Sequence, residues 1–417
     1  MSHDVHTISF KRGSSALTDL GKLSMGLLTG VAVPGPVGEA TGAALLNPGV
    51  GYTSIPTPAA ADGTGATLAT SMAIATSAAA AAGTTYAPND TITLTGGTAS
   101  QQGILEVLTT KIVTAPTVPA AGTGYVPGDT ITGTGTGVQT GPVFTVTDTL
   151  AVSATVVNGG TGGTPGAVTL TGTTGTGTKF QATGTINGSG VLTGALVVSV
   201  AGDYTVNPTN IASEPVTNNA SATGIVVSVV MGVKTVTVAS GGAFTANNTT
   251  GGGITQASTS GIGTGATFTL TAAKYGVNTY AMQNAGLYSV LPSNAVAQGS
   301  TSGSGSGFTL NVATWQVGQV TAAGGQAYKN GSAITFTGGG GTTQATGQVV
   351  TNPIGEPIQV TVAVTIPAAG AAILVTPNGP AVASVNGKGI AGFNVLLNPR
   401  SSTEPVLATA FDALVFH

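Results

Sequence analysis

The sequence predicts an all-β protein: tandem three-stranded repeats of about 40 residues that build an elongated trimeric fibre, closed by a C-terminal β-sandwich-like cap. Three observations predict it. The composition is poor in charge and rich in glycine and small β-formers. A glycine-rich turn ending in an aromatic residue recurs along most of the chain. The segments between these turns alternate apolar and hydroxyl residues.

Charged residues are 6% of the 417, against roughly 25% in an ordinary soluble domain. Disorder driven by charge needs high net charge and low hydrophobicity. Here the net charge is −3 and 41% of residues are hydrophobic, so ordered structure is expected. Val, Ile, Leu and Ala set among Thr, Ser and Gly suit short strands joined by tight turns. Ten basic residues against thirteen acidic ones leave no basic patch for nucleic acid. The absence of cysteine removes disulfides, thiolate catalysis and cysteine metal sites.

Residues 1–48 read as an N-terminal attachment segment. Leu17, Leu20, Leu23, Leu27 and Leu28 suggest one or two helical turns broken by Gly21 and Gly26. Lys11 and Arg12 before Ala16 to Val33 resemble a signal peptide, but Asp19 and Lys22 interrupt the apolar run. Pro34 and Gly35 follow it without a small-x-small cleavage site. The Ala-rich run Met72 to Ala82 falls short of the ~20 apolar residues that span a bilayer. The expectation is no membrane insertion, with assembly in a host cytoplasm.

Residues 49–350 read as an array of eight repeats. The turn motif appears as GVGYTSIP at Gly49, GTTYAPNDTITLTGG at Gly83 and GTGYVPGDTITGTG at Gly122. Further copies end the aromatic series, which runs Tyr52, Tyr86, Tyr125, Tyr204, Phe244, Tyr288 and Tyr328. The fourth copy has Gly163 where the ring is expected. A chain only 5% aromatic does not place rings at this spacing by chance. A second motif follows each anchor: GTGATLAT at Gly63, GTGTKFQA at Gly175, GTGATFTL at Gly263 and GSGSGFTL at Gly303. It leads into period-two strands such as Phe144-Thr-Val-Thr and Phe268-Thr-Leu-Thr. A third strand, as in Val152 to Val157 or Val233 to Val238, completes each unit. Such a unit cannot bury its apolar face alone. With about one lysine per repeat (Lys111, Lys179, Lys234, Lys274, Lys329), bare strand edges would aggregate. Pairing of edges within a homotrimer is therefore expected.

Residues 351–417 lose the repeat and read as a compact C-terminal β domain with apolar strands at Ile358 to Ile366, Ala372 to Val375, Gly392 to Leu397 and Ala408 to Phe416.

The motifs GTGYVPGDTIT at Gly122, AGLYSVLPSN at Ala285 and GTGATFTL at Gly263 resemble the Gly-Tyr and Gly-Thr-Gly-Ala-Thr repeats of tailed-bacteriophage and prophage virion proteins, head and tail fibres among them. The likeness covers residues 47–350. It implies a virion structural protein, a fibre or decoration protein on the outside of the capsid or tail, and carries over no catalytic or binding residue. Its partners would be itself and other capsid or tail proteins, docked through the N-terminal segment. The alternative is a receptor-binding fibre or adhesin that attaches to a host surface glycan or protein.

Chemistry is thinly represented. A histidine triad needs a poised imidazole, and His3, His6 and His417 stand at the chain ends. A glycosidase needs two facing carboxylates, and the acids are scattered singly. Asp90 and Asp129 share a repeat position in PNDT and PGDT. Ca²⁺ wants about six to eight oxygens, so each Asp is expected to bond its own turn instead. His3, Asp4 and His6 read as a solvated tail rather than a metal site. Gly338 to Gly341 lacks the strand–loop–helix setting and the Lys-Ser/Thr pair of a phosphate loop. Trp315 is expected in core or inter-chain packing. The anchors are expected to pack over their turns rather than to stack sugars. No enzyme activity, metal or cofactor is expected.

Overall fold

The structure, a computed structural model, describes residues 25–32, 37–249 and 253–352, and five C-terminal strands. It is almost wholly antiparallel β. Among the described residues the one helical element is the 3-10 turn Ala272–Lys274. Lys11, Arg12, Asp19, Lys22, Leu17, Leu20, Leu23, the three histidines and Asp4 lie outside the described residues. The predicted helical turn does not extend to Leu27 and Leu28. They belong to the strand Met25–Ala32, where Gly26, Thr29, Gly30 and Val31 disfavour helix. The chain divides into two compact units.

The larger unit comprises residues 77–286 and 292–312. Twelve of its strands form one antiparallel sheet, ten of them along one continuous path. Its backbone is the pair Val143–Thr161 and Thr223–Ser240, in register from Val143↔Ser240 to Thr161↔Thr223. Bulges between Val146 and Asp148 and between Ala151 and Ser153 bend this ribbon. It therefore serves two modules in turn.

In the turning-point module the path runs Leu192–Val200, Gln181–Ile186, Gly166–Gly172, Glu214–Asn218, Thr223–Ser240, Val143–Thr161. The first strand comes back to the last: Ala151 N–H donates to the Ala201 carbonyl at 2.8 Å. At Gly159 a Cβ would stand 2.3 Å from the Leu192 carbonyl oxygen, so only glycine permits this closure. Val168, Leu170, Phe180, Ile186, Val227 and Met231 fill the interior.

The next module uses Thr117–Thr123, Thr264–Thr269, Ile254–Thr259 and Thr130–Thr134 with the other end of the ribbon. It closes where Gly124 N–H donates to the Met231 carbonyl at 2.7 Å and Gly232 abuts the Gly122 carbonyl. Phe144, Phe268, Phe244 and Tyr275 form its core. Phe144 and Val146, and Ala266 and Phe268, point inward between hydroxyl residues, as the alternation predicts. A third module combines Thr91–Leu94, Ile104–Ile112, Tyr275–Asn284 and Val296–Thr301. There Gly276 abuts the Gly83 carbonyl.

In the smaller unit Val37–Asn47 lies between Thr346–Asn352 and the end of Ser306–Lys329. Ala333–Thr337 and Thr57–Ala60 extend the sheet. Two three-stranded sheets follow. One is Ile358–Ala363, Gly392–Asn398 and Val382–Gly389. In the other, Ala410–Phe416 lies between Ala372–Pro377 and the N-terminal Met25–Ala32, with Leu27 opposite Leu414.

Outside the turning-point module the strands of a module are thus not consecutive in the chain. Each repeat forms a local pair, such as Thr130–Thr134 with Val143–Thr161. A segment from far along the sequence completes it. The chain runs out to residue ~190 and returns, because a lone hairpin buries too little apolar surface to be stable. In these outer modules the completing strands come from the chain's own second half.

Candidate functional site: a ladder of glycine and tyrosine cradles

The two sequence motifs meet in space. Gly122 has φ +62°, and a Cβ there would lie 2.3 Å from the Thr264 carbonyl oxygen and 2.6 Å from the Ala266 nitrogen. The Tyr125 ring covers this glycine, and its hydroxyl accepts the Ala266 N–H at 3.4 Å. The same construction recurs at Gly83 and Tyr86 on Ser306 and Phe308, and at Gly49 and Tyr52 on Thr343 and Ala345. It recurs at Gly202 and Tyr204 on Thr178 and Phe180, and at Gly325 and Tyr328 on Thr64 and Ala66. The facing segment always begins with Ser or Thr. Its third residue gives its N–H to the tyrosine hydroxyl, at 2.6 Å from Ala345, 2.8 Å from Phe180 and 3.2 Å from Ala66.

The departures from this pattern are matched in pairs. Phe244 has no hydroxyl to accept a bond, and the third residue facing Gly242 is Pro142, which has no N–H to give. At the fourth copy Gly160 sits on Thr223 and Ile225, and Ile186 and Ala222 occupy the space that a side chain at Gly163 would need. Phe244→Tyr should therefore bury a hydroxyl with no donor opposite. The expected loss is about 1–3 kcal/mol in urea unfolding; an unchanged midpoint would contradict this account.

All seven anchors are buried, six at 0% exposure and Tyr328 at 4%, so none presents a ring face to solvent. Trp315, 5% exposed, stacks edge-on against Tyr288 at 5.3 Å. The Asp90 carboxylate accepts the Ala87 N–H at 2.8 Å and Asp129 that of Val126 at 3.0 Å, each within its own turn. Among the described residues no three His, Asp or Glu side chains gather as a metal-holding group.

Burial out of water is the main cause that raises the pKa of Tyr86 and Tyr275 to about 12 from the ordinary value near 10. Tyr125 and Tyr204 move the same way for the same reason. Between pH 10 and 12 the unfolded chain releases these protons and the folded one keeps them, so stability falls as pH rises through that window. Thermal melts should hold to pH 9 and collapse by pH 12. Tyrosinate absorbance should rise in step with loss of strand signal. Ionisation that precedes unfolding would refute it.

Several participants escaped sequence reasoning. Gln256 and Gln298 accept the hydroxyl protons of Tyr125 and Tyr86. Their amides donate to the Gly263 and Gly305 carbonyls at 2.7 and 2.9 Å. The shared string Q-x-S-T-S-G before both second motifs is the signal that marks them. Asn207 donates to the Tyr125 carbonyl at 2.8 Å and accepts from Thr149; Asn247 donates to the Tyr86 carbonyl at 2.6 Å and accepts from Thr110. Each Asn stands three residues after its anchor. Glu214, fully buried, accepts the Thr173 and Thr174 N–H groups, both at 2.7 Å. Lys179 donates to the Thr174 and Gly175 carbonyls, so the two side chains hold one loop from both sides.

No protein-family model, no curated protein and no solved structure matches the chain.

Proposed function

We propose that this chain is a non-enzymatic structural protein of a bacteriophage particle, a fibre or decoration protein on the outside of its capsid or tail. One observation carries the reading: the aromatic and polar side chains that could have served a ligand are consumed by the cradles. Tyr52, Tyr86, Tyr125, Tyr204 and Tyr328 each close a turn, and Asp90 and Asp129 each cap one. The phage-like repeat motifs named above supply the biological setting. Under this proposal the N-terminal segment docks on the particle and the protein self-associates as a homotrimer. Support for trimers comes from the low charge and from exposed aliphatic residues such as Ile262 (85%) and Val197 (65%). Strand edges give it little, since the chain pairs most of them itself.

The test is immunogold labelling of intact particles with antibody against this chain, together with light scattering of the purified protein. Label on the particle exterior and a mass of three chains are expected. Particles that stay unlabelled would end the proposal, and a stable monomer would remove the trimer. A second reading, host attachment, is favoured by the strands between residues 358 and 416, which lie outside the ladder. Deleting residues 351–417 should then abolish adsorption to host cells; intact adsorption would rule it out.

A further inference from the structure

We infer that the chain closes from its turning point outward, with the 149–231 module forming first and templating the modules that flank it. The cradles are strictly nested in sequence. From the inside they join 178 to 202, 160 to 223, 140 to 242, 122 to 264, 83 to 306, 64 to 325 and 49 to 343. The glycine lies on the returning chain at 202, 242 and 325 and on the outgoing chain at 160, 122, 83 and 49.

The innermost module is self-sufficient. Its strands pair with one another, and its core lies between Ala151 and Met231. Every other module joins segments separated by more than a hundred residues if the interior is open. Loop closure grows costlier with the length of free chain. Once the interior is closed, each further rung orders only about 15–40 residues on each side, so the outer modules gain most from a finished inner one.

Two features give this order a direction. The ribbon Val143–Thr161 with Thr223–Ser240 runs from the innermost module into the next, so pairing inside presents a ready edge outside. The asparagine clamps also point outward. Asn207, which follows Tyr204 of the innermost module, holds the Tyr125 carbonyl of the next. Asn247, which follows Phe244 of that module, holds the Tyr86 carbonyl of the one beyond. An outer anchor is thus fixed by an inner side chain.

Native-state hydrogen exchange of the full-length chain tests this. Phe180→Ala, which empties a fully buried site in the innermost module, should lower amide protection at least tenfold in residues 149–231 and equally in 83–112 and 275–308. Tyr86→Ala should lower it in 83–112 and 275–308 and leave 149–231 unchanged. Loosening confined to each variant's own module, or spreading inward from Tyr86→Ala, would overturn the inference. Should Phe180→Ala not accumulate as soluble protein, pulse labelling of refolding wild-type chain decides. Amides of 149–231 should gain protection before those of 83–112, and simultaneous or reversed protection refutes outward closure.

Discussion

Gly122→Ala is expected to destabilise the protein by about 4 kcal/mol and Gly162→Ala by about 1 kcal/mol, although the two glycines have nearly the same backbone conformation. Their φ values are +62° and +71°. Both substitutions place an L side chain in the left-handed region, at a cost of about 1 kcal/mol. They differ in surroundings. At Gly122 the added carbon meets the Thr264 carbonyl oxygen at 2.3 Å and the Ala266 nitrogen at 2.6 Å, both backbone atoms that cannot swing away. At Gly162 nothing lies within 4 Å. Subtracting one from the other isolates the close approach that seats the Tyr125 ring. Urea unfolding monitored by circular dichroism measures both, and equal losses would show that the cradle contact carries no energy.

Glu214→Ala is expected to cost about 3 kcal/mol, the largest effect of any acidic residue in the described chain. The carboxylate is fully buried and satisfies the N–H groups of Thr173 and Thr174, and it also takes the Thr174 hydroxyl. Its removal leaves two backbone donors without an acceptor in the loop that leads to the Thr178 and Phe180 cradle. Glu214→Gln keeps one acceptor oxygen and should lose about 1–2 kcal/mol, because a charge-assisted bond is roughly twice as strong as a neutral one. Glu106 is the comparison. Half-buried, it accepts a solvent-exposed bond from Gln283, and Glu106→Ala should fall within about 0.5 kcal/mol of wild type. A loss at Glu106 as large as that at Glu214 would contradict the structural reading.

Local chemistry was readable in the sequence; the partners were not. The inward alternation of Phe144, Val146 and Phe268 follows from residue type and period, and the structure buries each of them in its strand. The turn role of Asp90 and Asp129 was legible for the same reason, since an Asx turn is decided within four residues. Pairing is decided elsewhere. Nothing near Tyr52 says that its floor lies at Thr343, because many Gly-Thr-rich segments could serve and only closure of the intervening chain selects one. The strand at Met25–Ala32 was misread from leucine spacing, and its partner at Ala410–Phe416 lies at the opposite end of the sequence. Glu214 stayed hidden because one acid among thirteen carries no mark of burial.

The reciprocal matching of the cradles, Gly49 on Thr343 and Gly325 on Thr64, bears on how such a gene can grow. The first repeat carries one ring, Tyr52, and one floor, at Thr64, and they belong to different rungs of the same reciprocal pair. Duplicating a single repeat would leave a ring without a floor and shift every later match out of step. The protein can lengthen only by two insertions at mirror-image places, or by one copy of a segment that spans the turn. Relatives of this chain should therefore differ by even numbers of repeats.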